Sequence, residues 1–437
     1  MSIIVFKLLL ALADGLLGVL VLRTGALDRW DDGQFLRRMV ALQIVPALAL
    51  FGGLYFVGHQ EVPSDVPAYY MPAAHAVLAG KLPFRDFTSS YAPLFPYLGG
   101  ALLAIWDSGK MFALFSILVN AVALLLWDRL GKACLEKQTA RHSTLLFATS
   151  GNMLLQSLLG TNQTWIGAAL AASALLIVLE RPTGSGLVQA LSVAITKVLA
   201  LLFWPVLWIC SRHRGRWLAA AVLPAFALYA AFAATGADIF YPLRFEGELS
   251  TSGNLPYVLA PLLSMTGSAE RLVFDALALA ALGGTTLWIY LRARTLSPQR
   301  RAMLLPLAIA LTGLVFLVFS KKSYTGYAVF FMYPLMMALG VGMRSLRARV
   351  GFALLFNALL ATEPSLWFRL GGDSKTLPEW LKTGGGLAIA GFVLLDLALL
   401  ACYVWLAWLS VGSIRRTTAG AMRSRDASQS ETACSLV

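Results

Sequence analysis

SDVPAYYMPAAHAVLAGKLPFRDFTSSYAPLFPYL, residues 64–98, gathers an aspartate, two adjacent tyrosines, a histidine, an Arg-Asp pair and a cluster of prolines between two apolar runs. Its periodicity is helical at the start: Val66, Tyr69, Tyr70, Ala73, Val77 and Leu78 fall on one face. Ser64 or Asp65 can cap that helix, Pro67 fits its first turn, and Gly80 can close it. Pro72 lies past the first turn, where a proline kinks a helix. These features predict an amphipathic helix at a membrane interface, with tyrosines at headgroup level. KLPFRDF then reads as an extended turn, and SYAPLFPYL leads back into apolar sequence.

The surroundings explain why such a segment stands out. The chain has 437 residues, 58% hydrophobic and 13% charged, with mean hydropathy +0.72. Soluble domains carry about 25% charged residues. Apolar stretches here repeatedly reach the roughly 20 residues that cross a bilayer. The class is therefore an all-α polytopic membrane protein; a β-barrel would show short alternating segments instead. About 13 spans are expected, near 3–22, 39–58, 91–106, 109–127, 143–160, 163–180, 187–210, 217–235, 273–292, 302–320, 327–343, 350–363 and 385–409. The N-terminal run lacks a basic leader and reads as a retained helix.

A net charge of +13 fits arginine-rich cytoplasmic loops rather than nucleic-acid binding, because no basic stripe is interleaved with aromatics. Dense arginine marks 23–38, 211–216, 292–301, 344–349 and the tail. Placing all five in the cytoplasm puts the N-terminus outside and the C-terminus inside. Segments 59–92, 237–271, 321–326 and 363–385 then face outward, so function is expected there. Basic segment 128–142 breaks the pattern by falling outside, which requires a surface-lying segment or a miscounted span. Residues 1–414 form one domain in this scheme, and 415–437 a disordered cytoplasmic tail. The four cysteines, Cys134, Cys210, Cys402 and Cys434, are far apart and suggest neither a disulfide framework nor a zinc site.

The pattern D-x3-YY-x2-A-x4-LAG-x2-P-[FY]-x-DF, followed by Y-x-PLFPYL, resembles the GT-C superfamily of integral-membrane glycosyltransferases, in particular bacterial proteins similar to polyprenyl-phosphate-mannose-dependent mannosyltransferases. GTNQTWIGAALAASALL (160–176), LSVAITKVLALLFWPVLW (191–208), TSGNLPYVLAPLL (251–263) and SKKSYTGYAVFFMYPLM (320–336) resemble further family stretches in order. Val198 stands where the family has proline, and Asn254-Leu255 where it has Asn-Gln-Ser. The resemblance implies a GT-C bundle of about 11–13 transmembrane helices in a bacterial inner membrane. It implies a sugar, a hexose or pentose such as mannose, moved from a polyprenyl-phosphate donor to a glycan or lipid acceptor on the outer face. Cell-envelope polysaccharide or glycolipid assembly is the expected setting.

Attack by an acceptor hydroxyl on the anomeric carbon needs a base, and a carboxylate at the membrane boundary can serve when partial burial raises its pKa. The leaving phosphate calls for Arg or Lys. Asp65 is the expected base; a helix cap is its structural alternative. Asp86 and Arg85 would orient the acceptor or simply pair with each other. Tyr69, Tyr70, His75 and Tyr91 would line the site or anchor it at the interface. Lys321 and Lys322, beside Tyr324, would hold the lipid phosphate or snorkel toward headgroups; Arg244 and Arg271 are further candidates. Lys197 lies inside an expected span, where an isolated lysine costs roughly 2.5–3.5 kcal/mol. It would touch the donor or join a polar network with Gln156, Asn162 and Gln163. Lys7 and Asp14, seven apart, would share one face of the first helix. No cofactor and no tightly held metal are expected, because Asp65 and Asp86 by themselves offer a divalent cation few ligands. A transporter or flippase for a lipid-linked saccharide is the competing class; it should carry its charges along a mid-membrane path in paired halves. A non-catalytic scaffold that keeps the fold is a third, and would be expected to lack the base.

Overall fold

The computed structural model describes residues 3–63, 65–263, 267–370 and 386–434. Ser64 and most of the 363–385 connection lie outside these, as does the side chain of Arg271. The chain is helical nearly throughout. It runs through α1 Ile3–Arg23, α2 Ala26–Arg29, α3 Asp32–Gly52, α4 Met71–Leu78, α5 Phe95–Ile105, α6 Lys110–Cys134, α7 Lys137–Ala148, α8 Gly151–Leu158 and α9 Gln163–Val178. It continues through α10 Pro182–Ile195, α11 Trp204–Cys210, α12 Arg214–Ala234, α13 Tyr241–Glu248, α14 Leu255–Leu262, α15 Gly267–Ala293, α16 Pro298–Phe319, α17 Met332–Gly342, α18 Leu346–Arg369 and α19 Gly386–Cys434. Among the described residues, nine helices are long and apolar enough to cross a bilayer, and α8 with α9 forms a further pair bent by 119°. The protein is an all-α polytopic membrane protein. In lipid a helix satisfies its backbone internally, which is why apolar runs adopt this form and no other open one.

α16 and the span Thr325–Gly342 that contains α17 form the axis: 83% and 89% of their apolar windows are buried, against 17–22% for α1, α12 and the apolar window of α15. Small residues let the other helices close on one another. A Cβ on Gly131 of α6 would lie 2.1 Å from the Tyr333 hydroxyl. That tyrosine stacks on Trp127 at 5.5 Å and shares a 3.0 Å hydrogen bond with Thr144. Lys7 donates to Ser365 on α18 at 2.8 Å, while Asp14 faces Gln43, Asn120 and Ser157, so the two charges of α1 serve different neighbours.

The expected topology needs two corrections, and they cancel. α5 does not carry the chain across. It starts beside Tyr91, packs along α4 and ends at Asp107, whose carboxylate meets His75 of α4 at 2.9 Å. Both of its ends therefore lie at the α4 end of the bundle. α6 then makes the crossing, and 128–142 arrives at the opposite end against the 23–32 connection. There Arg141 binds the Leu27 and Trp30 carbonyls and Asp32, and Gln138 binds Asp28. The basic exception disappears. The second correction concerns 187–210. α10 reaches the α4 end, the chain opens at Thr196 and Lys197, and a 3₁₀ turn Val198–Phe203 with α11 returns it. Glu180, Arg212 and Gln299 meet at that returning end, with Arg212 to Glu180 at 2.5 Å. The arginine-rich connections thus share one end. α19 runs to Cys434, past residue 415.

Candidate active site

The opening segment forms a helix with an irregular start. Val66–Tyr70 takes a wide π turn that runs directly into α4, with Pro72 near the joint. Proline has no N–H for the carbonyl four residues back, and the wider register accommodates that loss. Gly80, at φ +80°, ends the element. Asp65 stands at the head of this turn, yet its side chain makes no capping bond there. It instead accepts a 2.9 Å hydrogen bond from the Tyr91 hydroxyl. Burial pushes the Tyr91 phenol well up, so it stays protonated and donates.

Tyr91 belongs to an aromatic ladder that fixes the segment on the bundle. Its ring stacks on Phe95 at 4.5 Å, and Phe95 stacks on Trp165 at 5.7 Å. Tyr70 packs edge-on to Tyr91 and Phe95, and its hydroxyl accepts from the Asn162 N–H at 3.2 Å. Tyr70 is fully buried. It sits in the core against Tyr91, Phe95 and Phe112.

Next to this ladder the break between α10 and α11 sets Lys197. Its backbone is extended, and the carbonyls of Ala194 and Thr196 accept from the N–H groups of Leu94 and Ala92. The lysine is therefore in an opened connection and not inside a helix. Its ammonium lies 4.8 Å from the Tyr91 ring centre and 5.8 Å from that of Tyr327. It pairs with Glu246 of α13 at 3.2 Å, not with the expected Gln156, Asn162 or Gln163. Tyr324 packs edge-on to Tyr327 at 5.5 Å and lies within electrostatic reach of Asp65, Lys197 and Glu246. Burial pushes its phenol up to about 12.

A cavity of about 290 Å³ opens between α4, segment 87–91 and α13. Tyr69, Tyr91, Tyr241 and Phe245 supply aromatic wall, Ala68, Ala73 and Ala76 supply space, and Thr88, Ser89 and Ser90 supply hydroxyls. Tyr91 links the two regions: its ring lines the cavity and its hydroxyl holds Asp65.

The remaining expected residues form separate pairs. Arg85 and Asp86 join through two 2.9 Å hydrogen bonds, and Asp86 also accepts from the Leu82 N–H at 2.7 Å. Those bonds, the arginine's first, hold the Asp86 carboxyl down at about 2. Both residues are spent on their own turn. His75 pairs with Asp107 on an exposed surface. Lys321 is buried against Asp275 at 3.2 Å, and Lys322 reaches the same carboxylate at 3.8 Å. Arg244 is bound to Asp238. Among the described residues, no group of three or more His, Cys, Asp or Glu could hold a metal ion.

Sequence reasoning missed Glu246, Asp275 and Asp107. Each becomes a partner through distant chain segments meeting. Glu246, in FEGELS, carries the one available signal: an acid within a loop already expected to face the site.

No family model matches the chain, and no curated protein matches it. Among solved structures it is similar to ArnT from Cupriavidus metallidurans, determined bound to undecaprenyl phosphate: 12% identity, TM-score 0.46, 86% of this chain and 77% of that one. It is also similar to the Archaeoglobus fulgidus oligosaccharyltransferase in the apo form, at 13% identity, TM-score 0.37, 82% of this chain and 59% of that one. The same organism's oligosaccharyltransferase AglB, in complex with an inhibitory peptide and a dolichol-phosphate, gives 15% identity and TM-score 0.33, over 88% of this chain and 56% of that one. The chain thus spans little more than half the length of the oligosaccharyltransferases.

Proposed function

We propose that this protein is a membrane glycosyltransferase of the GT-C type. It takes a sugar from a polyprenyl-phosphate donor and passes it to a glycan or lipid hydroxyl at the extracytoplasmic face of a bacterial inner membrane. The single observation that carries this reading is Asp65. It is relieved of the capping role that would have explained it, and is held by Tyr91 beside an aromatic cavity and a buried lysine.

The chemistry follows from that arrangement. An acceptor oxygen attacks the anomeric carbon, and its proton passes to Asp65. The bond from that carbon to the phosphate oxygen breaks, and its electron pair leaves with the polyprenyl phosphate. Lys197 meets the added negative charge once Glu246 yields its place. Aromatic faces and hydroxyls of the cavity suit a sugar ring, which presents apolar C–H faces and polar edges. Lys321 and Lys322, engaged by Asp275, serve the loop and not the phosphate. Mannose as the sugar, and envelope polysaccharide as the product, rest on the sequence resemblance.

The test is transfer of radiolabelled sugar from polyprenyl-phosphate donors to membrane acceptors, wild type beside Asp65→Asn. Loss of a base costs about 10²–10⁴-fold, and that loss in a folded variant is the expected result. Equal rates would remove Asp65 from the mechanism. Saccharide movement across vesicles without transfer would establish the flippase class instead.

A further inference from the structure

Three charged side chains meet around Tyr91. Its hydroxyl holds Asp65 at 2.9 Å, its ring centre lies 4.8 Å from the Lys197 ammonium, and that ammonium pairs with Glu246 at 3.2 Å. The lysine side chain is buried, and the Tyr327 ring stands 5.8 Å from its ammonium. The other basic side chains of the outer connections are engaged by acids of their own: Arg85 by Asp86, Arg244 by Asp238, and Lys321 and Lys322 by Asp275. A donor phosphodiester reaching Lys197 therefore meets an ammonium that already carries an anion. Two anions on one buried ammonium, beside the Asp65 carboxylate, repel each other with little screening. Exchange of the Glu246 carboxylate for the phosphate leaves the local charge unchanged.

The element that carries Glu246 is free to make that exchange. α13 is eight residues long, and among the described residues no other helix packs along it. Phe240 and Leu243 are 60% and 50% exposed, and Arg244 bonds back to Asp238. The flanks of the helix are tied down. The Asp238 N–H donates to the Phe84 carbonyl at 3.0 Å, and the Thr251 N–H donates to the Lys321 carbonyl at 2.8 Å. Between these anchors the ion pair with Lys197 draws α13 onto the bundle. The same helix carries Tyr241 and Phe245, stacked at 6.1 Å, which wall the 290 Å³ cavity.

We propose that Glu246 is a positioning residue that holds α13 over the site until the donor arrives. The donor's phosphate takes its place on Lys197, α13 is released, and the wall formed by Tyr241 and Phe245 shifts to admit the acceptor. Glu246 thereby sets the donor affinity, and donor binding precedes acceptor binding. The inference rests on the transferase reading, with Lys197 as the phosphate contact.

The experiment uses the full chain in detergent and polyprenyl phosphate, the donor's leaving group, as the probe, with the polyprenyl alcohol as the comparison that lacks the phosphate. Backbone hydrogen exchange across 243–248 is expected to quicken on adding polyprenyl phosphate and to stay unchanged with the alcohol. Glu246→Gln should show the fast exchange without any ligand. It should bind polyprenyl phosphate about tenfold more tightly, as for a site that in wild type is open about one-tenth of the time, and donor KM should fall by the same factor. A merely structural residue would raise KM or leave it alone. Glu246→Asp should return the slow exchange. The wild-type exchange measurement answers the question even if Glu246→Gln does not fold. Polyprenyl phosphate that binds wild type without quickening 243–248, an equal response to the alcohol, or a folded Glu246→Gln with unimproved affinity would overturn the inference and leave the transferase reading standing. Absence of binding to wild type and to Glu246→Gln alike would overturn both.

Discussion

At the residue scale, the 2.9 Å bond from Tyr91 to Asp65 is the contact with most consequence. A hydrogen bond to a charged group contributes roughly 1.5–3 kcal/mol. Tyr91→Phe is therefore expected to lower transfer by tenfold or more while the stacked ring keeps its place, measured as kcat/KM against Tm. Asp86 behaves differently. Its carboxyl is held down at about 2, below the usual 3.8. The stabilisation of its turn is thus fully present above the ordinary carboxylate range, and disappears as pH falls through about 2. Its NMR titration midpoint should fall near 2, and Asp86→Asn should leave transfer at neutral pH within a few-fold of wild type. Asp65 was legible from its place before a helical period. What it does there was not, because a cap and a base occupy the same sequence position and differ only in what the oxygens touch.

At the element scale, the breaks carry the information. A regular helix through 187–210 would leave Lys197 pointing into lipid or protein with no exit. The opened backbone at 196–197 lets it reach Tyr91 and Glu246. Likewise, Tyr333 can lie against α6 because residue 131 has no side chain. Gly131→Ala would push on that hydroxyl and disturb the Trp127 stack. A destabilisation of about 1–3 kcal/mol is expected, read as a lower Tm with transfer by the remaining folded protein unchanged.

At the scale of the whole molecule, ends matter more than helix numbers. Cysteines introduced at Gln138 and Gln299 should react with a membrane-impermeant maleimide from one side, and one at Asp107 from the other. Reaction of 107 from the same side as a cysteine at Arg29, in the 23–32 connection, would restore α5 as a crossing helix. Reading hydropathy placed both errors, an extra crossing at 91–106 and a missing one at 187–210, because an apolar segment of eleven residues and a pair of short helices have the same composition as a single span.

Composition by itself determined that this chain folds as apolar helices in a bilayer, since a backbone without water has almost no other way to satisfy its polar groups. Periodicity at 64–98 determined that a helical element begins there with Asp65 at its head. Tertiary structure decided the rest. It assigned Lys197 to Glu246, Lys321 and Lys322 to Asp275, and His75 to Asp107, and it buried Tyr70 in the core. Each of these is a charge or hydroxyl finding its partner from another part of the chain. Burial makes such pairing obligatory, but which partner answers depends on how helices far apart in sequence come together.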